Sequence, residues 1–307
     1  MDCKEIKREL YERYCQNNSF SSVTSSHWRQ YGRMTKIEMI GDKLEIDTFG
    51  VSEFNKATVF SFIKHVPRAI LIRRLLRKHR ARKKTIGAAR RIVEKLGILF
   101  EFDHAKHVLI YDLIDSYNLF DCDNYVCVIG DGHGFFGTLI RELRPDVKLV
   151  FVNLGRNLFL DVHRFDQYFP NVVDVSLLGK DREVHTNVDT IFLVAEHIEQ
   201  LDSLAIDLWV NVASMQEMNI QTINKYFEFI SSSKTSSYFY CCNREEKTLP
   251  DGSVVRFADY PWKNCEIIFD ELSPWYQRFP ISKPPFWRSF DGPHRHRLVS
   301  YGSKEIT

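Results

Sequence analysis

Glycine and proline are sparse in this chain of 307 residues, at 14 and 10. Neither recurs with a period, which excludes collagen-like and Pro/Gly-rich disordered architectures. No apolar run approaches the ~20 residues that a membrane-spanning helix needs. The N-terminus, Met1-Asp2-Cys3-Lys4-Glu5, lacks the apolar stretch of a secretory signal. The seven cysteines are scattered and odd in number, so no disulfide framework is expected and a reducing, cytoplasmic compartment is. No C-x-x-C pair exists to seed a zinc site. Cys241 and Cys242 end an apolar run and read as buried thiols. Acids, finally, are missing from one stretch: Arg68 to Arg91 holds 11 Lys/Arg and no Asp or Glu.

The formal net charge of +2 hides that imbalance. Residues 1–115 carry 23 Lys+Arg against 14 Asp+Glu, whereas residues 116–307 carry 19 against 26. Two regions are therefore expected, a mainly helical 1–115 containing the basic segment 68–91, and a second domain over 116–307. Within the first, residues 42–50 alternate polar and apolar as a short strand or hairpin arm would. Val59 to Leu76 is apolar at helical spacing, with Pro67 expected to end or kink the helix. The basic segment has two readings. It is either a solvated face turned toward the acidic region, or a surface for peripheral contact with anionic lipid, nucleic acid or a nucleotide-linked substrate. No aromatic residue interrupts it, so recognition of nucleic acid by base stacking is not expected.

The second region has a clear rhythm. Apolar runs at Tyr125–Ile129, Lys148–Val152, Thr190–Val194, Asp207–Val212 and Ser237–Cys242 are interleaved with helical patterns at Phe136–Leu143, Leu158–Phe169 and Ile220–Ile230. Such alternation predicts an α/β fold, a Rossmann-like doubly wound and mostly parallel sheet. Ligands bind beyond the carboxyl ends of such strands. The residues just after each run are thus the candidates for function.

After the first run comes Gly130-Asp131-Gly132-His133-Gly134-Phe135-Phe136-Gly137. Glycines at alternate positions allow left-handed backbone and close approach of a ligand. Gly132, Gly134 and Gly137 fit the G-x-G-x-x-G of a dinucleotide site, which would make the protein an NAD(P)-dependent oxidoreductase. Gly130, Gly132 and Gly134 fit a G-x-G-x-G loop for S-adenosylmethionine (SAM). An acid at the end of the second strand would grip ribose hydroxyls; Asn153 stands there, able to bond a hydroxyl without a carboxylate's charge.

Beyond the fourth run lie Asn211, Ser214, Gln216 and Glu217, and the fifth ends in Asn243-Arg244. With Ser214-Met215-Gln216-Glu217-Met218, Asn243-Arg244 and Tyr260-Pro261-Trp262, the chain resembles the sugar O-methyltransferases among class I SAM-dependent methyltransferases. The likeness covers roughly residues 120–300, with a fainter echo at Ser26-His27-Trp28. It implies a SAM site at Gly130, Asp131, Gly132, Gly134, Asn153, Leu154 and Asn211, and methyl transfer to a hydroxyl of a sugar or sugar-containing glycoconjugate. Val128 stands where such enzymes usually carry an acid, two residues before the loop. A SAM-type fold that serves as a non-catalytic binding module, with the basic segment holding an anion, is the non-enzymatic alternative.

Methyl transfer to a hydroxyl needs an aligned acceptor and a proton acceptor. Glu217 is the first candidate for the base, with His133 in the loop and His296 near the C-terminus as further ones. Gln216 and Asn243 suit hydroxyl binding, and Tyr260 and Trp262 could stack on a sugar face. No spacing of acids demands a divalent metal, although Glu217 with Glu245, Glu246 or Asp259 could converge on one.

Overall fold

The computed structural model describes residues 2–16, 24–40, 43–48, 59–170, 172, 174–179, 188–232, 235–281, 284–285, 287–289 and 292–302. The chain opens with α1 (Cys3–Leu10), running on through a π-helical turn at Tyr11–Cys15, then α2 (Ser26–Met34). A hairpin of β1 (Thr35–Ile40) and β2 (Lys43–Thr48) follows, then α3 (Val59–Lys78), α4 (Lys83–Lys95) and α5 (Phe102–Asp115). The strand expected within 42–50 is β2; positions 42, 49 and 50 lie outside the described residues. Helix α1 starts where it does because Asp2 accepts the Glu5 N–H and Glu5 answers on the Asp2 N–H, a capping box. Of the two outcomes expected at Pro67, an end or a kink, the helix does not end there: α3 runs through it to Lys78. Proline forfeits one amide bond, and the uninterrupted turns on either side hold the helix across that gap.

From residue 125 strands and helices alternate: β3 (Tyr125–Ile129), α6 (Phe135–Leu143), β4 (Lys148–Asn153), α7 (Gly155–Tyr168), β5 (Val175–Leu178), β6 (Thr190–Val194), β7 (Ile206–Val212), α8 (Ile220–Ser231) and β8 (Ser237–Arg244). The remainder is β-rich: β9 (Glu246–Thr248), β10 (Val254–Arg256), β11 (Glu266–Leu272), β12 (Arg278–Pro280), β13 (Trp287–Ser289) and β14 (His294–Tyr301). One eight-stranded sheet dominates, in the order β11-β14-β8-β7-β3-β4-β6-β5. All neighbours from β8 to β5 pair in parallel, while β14 lies antiparallel to both β8 and β11. This is the Rossmann-like, doubly wound and mostly parallel sheet that the alternation predicts, with an antiparallel pair at one edge and helices before it.

The central strands are buried on both faces, which is why they read as unbroken apolar runs. Their side chains nonetheless divide with period two. Val126 and Val128 of β3 join the apolar cluster holding α1 and α4 to α7, while Tyr125, Cys127 and Ile129 join the cluster under α8. The first cluster is continuous from Cys3, Ile6 and Leu10 of α1 to Phe135 and Phe159. Tyr14 lies so close to the start of α7 that a Cβ at Gly155 would come within 2.4 Å of its ring. All seven cysteines are free; Cys241 and Cys242 are fully buried in β8, and burial pushes the Cys242 thiol up to about 12.

Candidate functional site

The loop after β3 carries three left-handed glycines, Gly130, Gly132 and Gly134. Gly130 is demanded by packing as well, since a Cβ there would stand 2.2 Å from Ser214 Oγ. At Gly132 the position is different: φ is +77° and an added Cβ would meet nothing within 4 Å, so the backbone faces open space. Gly137 is a helix–sheet contact, because its Cβ would enter the Phe151 ring at 2.2 Å. Asp131 is turned into the protein. Its Oδ1 accepts the Phe136 N–H at 2.9 Å and its Oδ2 accepts the Gly137 N–H at 2.7 Å. The N-terminus of α6 is thereby closed by the chain's own carboxylate.

Above this loop lies a cavity of about 470 Å³, open solvent at its mouth included. Gly130 and Gly132 form one wall, and Val152, Asn153 and Leu154 bring the end of β4. Ala195 comes from the end of β6, Ser214 and Met218 from beyond β7, and Thr222 and Tyr226 from α8. Ser25 and Trp28, at the start of α2, complete the lining. Of the residues expected to hold a cofactor, Gly130, Gly132, Asn153 and Leu154 therefore meet at one cavity. Gly134 and Asp131 shape the start of α6 beside it.

Asn153 is itself held. Its Oδ1 accepts the Leu154 N–H at 3.0 Å, and its Nδ2 donates to Asp161 Oδ2 at 2.9 Å. Asp161 is fully buried on α7, so a carboxylate does stand behind the strand end, although the strand itself provides none. The signal for it in the sequence is an acid set inside the apolar stretch Leu158-Phe159-Leu160-Asp161-Val162.

Asn211, Asn243 and Gln216 form a closed amide network. Asn211 Nδ2 donates to Ile129 O at 2.9 Å and to Ser214 Oγ at 2.6 Å, while its Oδ1 accepts from Met215 N and Asn243 Nδ2. Asn243 Oδ1 takes the Gln216 N–H at 3.0 Å, and Gln216 Oε1 takes the Arg244 N–H at 2.7 Å. All three side chains are buried. They tie the ends of β3, β7 and β8 together, which fixes the turn that carries Glu217.

Glu217 is the meeting point of three distant segments. Lys247 Nζ lies 2.5 Å from its Oε1, His27 Nε2 lies 3.3 Å from its Oε2, and Ser25 Oγ donates to its backbone carbonyl at 2.5 Å. Burial pushes its carboxyl up, but the His27 hydrogen bond and the Lys247 ammonium outweigh that and leave it below its ordinary value. His27 and Lys247 are partners of Glu217 that sequence reading missed. The signal for His27 was the Ser26-His27-Trp28 echo.

Glu217, Asn211, Gln216 and Asn243 do not line the cavity itself, and neither do the remaining candidates. His133 is buried in the loop without lining the cavity. His296 is enclosed on β14, its ring nitrogens 3.2 Å from Tyr240 Oη and 3.2 Å from Glu271 Oε1, with Phe269 and Trp275 edge-on to it. Burial pushes it below the ordinary histidine value, against the pull of Glu271. Tyr260 and Trp262 belong to an aromatic cluster with Phe227, Phe239 and Phe257. The Arg297 guanidinium covers the Trp262 ring at 4.5 Å. The structure gives both rings to the packing of α8 on β8 rather than to the cavity. Among the described residues no group of three or more His, Cys, Asp or Glu is placed to hold a metal ion.

No family model matches the chain, and no curated protein matches it either. Solved structures similar to it include the magnesium protoporphyrin IX methyltransferase ChlM from Synechocystis PCC 6803 with bound S-adenosylhomocysteine. That likeness has 10% identity and a TM-score of 0.41, over 72% of this chain and 95% of that one. Another is the O-methyltransferase TomG from Streptomyces achromogenes, involved in tomaymycin synthesis, in complex with SAM. It shows 12% identity and a TM-score of 0.38, over 72% and 91%.

Proposed function

We propose that this protein is a SAM-dependent O-methyltransferase that methylates a hydroxyl of a sugar or sugar-containing glycoconjugate. The observation that carries the cofactor is the Asp131 cap. A dinucleotide would bring a pyrophosphate to the N-terminus of α6, where its binding relies on free N–H groups and a positive helix end. Here two of those N–H groups, of Phe136 and Gly137, already serve a carboxylate, which would also repel the phosphates. SAM carries an ammonium and a sulfonium and no phosphate, so the same carboxylate favours it.

The residues present fit such a molecule. Gly130 and Gly132 would let it approach the backbone, Asn153 backed by Asp161 would face its ribose, and Leu154 and Ala195 would cover its base. When bound, SAM supplies an electrophilic methyl group on a sulfonium. The chain's own task is then to align the acceptor hydroxyl and remove its proton. His27 takes that proton in this reading, and Glu217, anchored by Lys247, orients the imidazole and stabilises it once charged. A carboxylate with both oxygens engaged is better suited to holding a base than to being one. The sugar acceptor follows from the likeness in the Ser214–Met218, Asn243-Arg244 and Tyr260-Pro261-Trp262 motifs.

Thermal unfolding with SAM, S-adenosylhomocysteine, NAD and NADP tests the reading. A hundredfold excess over Kd stabilises by roughly 2.7 kcal/mol. A shift with SAM and its product and none with NAD or NADP is expected. A folded protein that responds to neither SAM nor S-adenosylhomocysteine would sink the proposal.

A further inference from the structure

No residue of the basic segment lines the cavity, and the structure shows how its charges are paired. Of the 11 cations between Arg68 and Arg91, three are paired: Arg68 with Glu101, Arg82 with Asp112 and Asp115, and Arg91 with Glu142. The other eight are exposed, and among the described residues none has an ion pair. Acids at the start of α5, on α5 and on α6 hold Arg68, Arg82 and Arg91, while Arg73, Arg74, Arg77, Lys78, Arg80, Lys83, Lys84 and Arg90 are left to solvent.

The helices that display these charges are firmly seated. Ile72 and Leu76 of α3 and Ala88, Ala89, Ile92 and Val93 of α4 are buried in the main apolar cluster. The opposite side of α3 carries a second feature. Val66 and Ile70 are 46% and 47% exposed. With Arg73 and Arg77 they stand at i, i+4, i+7 and i+11, within a stripe about 60° wide at 100° per residue. Two bare aliphatic side chains thus continue directly into two bare guanidinium groups.

We infer that the outer face of α3, with the exposed cations that follow it, docks on an anionic phospholipid bilayer. Cations on a preformed helical face attract the negative headgroup layer, and aliphatic side chains beside them enter its boundary. A nucleic acid would be drawn by the same charges but has no use for Val66 and Ile70, and the segment offers no aromatic ring for bases to stack on. The contact is peripheral, since among the described residues no helix is long and apolar enough to cross a membrane. The inference is independent of the methyltransferase reading.

Co-sedimentation of the full chain with vesicles tests it, using phosphatidylcholine alone and phosphatidylcholine with about 30% phosphatidylserine, at about 50 to 500 mM NaCl. Binding should require phosphatidylserine and fall by about tenfold or more across that range. The variant R73E/R77E/K84E should lose binding by about tenfold or more, and R73K/R77K should keep it, because charge is what is read. V66S/I70S should weaken vesicle binding several-fold while leaving binding to a duplex RNA unchanged. All these side chains are exposed, so unfolding temperatures should stay at the wild-type value. Indifference to phosphatidylserine, or wild-type binding by R73E/R77E/K84E, overturns the inference. So does an unaltered V66S/I70S, or a chain that binds the RNA while ignoring vesicles at the same salt; these point to a nucleic-acid surface.

Discussion

Two polar clusters stand behind the residues that line the cavity, none of their own six members among the lining, and they are built on opposite plans. The Asn211–Asn243–Gln216 network is neutral, buried, and made of amides that bond three strand ends to one another. The His27–Glu217–Lys247 row is ionic, and its members come from segments far apart in the chain: α2, the turn after β7, and β9. Amides do not titrate, so the first cluster can set geometry at any pH. Carboxylate, imidazole and ammonium can hold and move a proton, so the second can do chemistry. One cluster positions the turn, and the other uses what stands on it.

Replacing Asn211 with Ala is the most damaging way to break that contrast. It removes, away from water, the acceptor of the Met215 N–H and of one Asn243 Nδ2 hydrogen, while Ser214 Oγ keeps its bond to Ile129 O. Loss of roughly 3 kcal/mol in urea unfolding is expected, since each stranded buried group costs about 1–3 kcal/mol and some will find water. Affinity for SAM should fall by about tenfold or more, as the loop walls lose their register. Glu217→Gln should act the other way round. Unfolding free energy should drop by only about 1 kcal/mol, and SAM affinity should stay within about twofold, because the exchange keeps shape and removes charge. Methyl incorporation into a hydroxyl acceptor should fall by about a hundredfold or more, followed with labelled SAM. Equal losses of binding in the two variants would erase the distinction between the clusters.

Acid sharpens it further. The folded Glu217 carboxyl lies below its unfolded value, so its ion pairs contribute stability that is full above the ordinary carboxylate range. That contribution is lost as pH falls through the folded value. Unfolding curves of wild type and Glu217→Gln should therefore differ at neutral pH and converge only in acid below the ordinary glutamate range, once the folded carboxyl is protonated. The Asn211→Ala deficit should show no such convergence.

How much of this was legible in the sequence follows from the same contrast. The sheet was, because strands buried on both faces must be apolar throughout, and so was the glycine loop, because Gly132 at φ +77° has few substitutes. The polar residues at strand ends stand out as a group in the sequence, but their roles were not readable. An Asn beyond a strand looks the same whether it faces a ligand or closes a turn, and only the contacts of Asn211 and Asn243 separate the two. His27 was hidden by distance: Ser25 beside it bonds to Glu217 across 192 positions. Asp161 was hidden by its place on a helix, where an acid ordinarily faces solvent. The charge split near residue 115 describes the surface and leaves the core unmarked, since α1 shares one apolar cluster with α6 and α7.

The smallest effect is expected at Tyr260, where the sequence motif and the packing point in different directions. The motif suggests a ring that stacks on a sugar, whereas the structure buries it against Phe227 and Phe257. Its hydroxyl is buried with no hydrogen-bond partner. A stranded hydroxyl contributes nothing to folding and costs its own desolvation, so Tyr260→Phe should leave stability unchanged or raise it by up to about 1 kcal/mol. SAM affinity and methyl incorporation should stay at wild-type levels, since neither depends on that oxygen. A large drop in methyl incorporation with stability intact would return Tyr260 to the acceptor site. It would also mean that the aromatic cluster opens toward the cavity when the acceptor arrives.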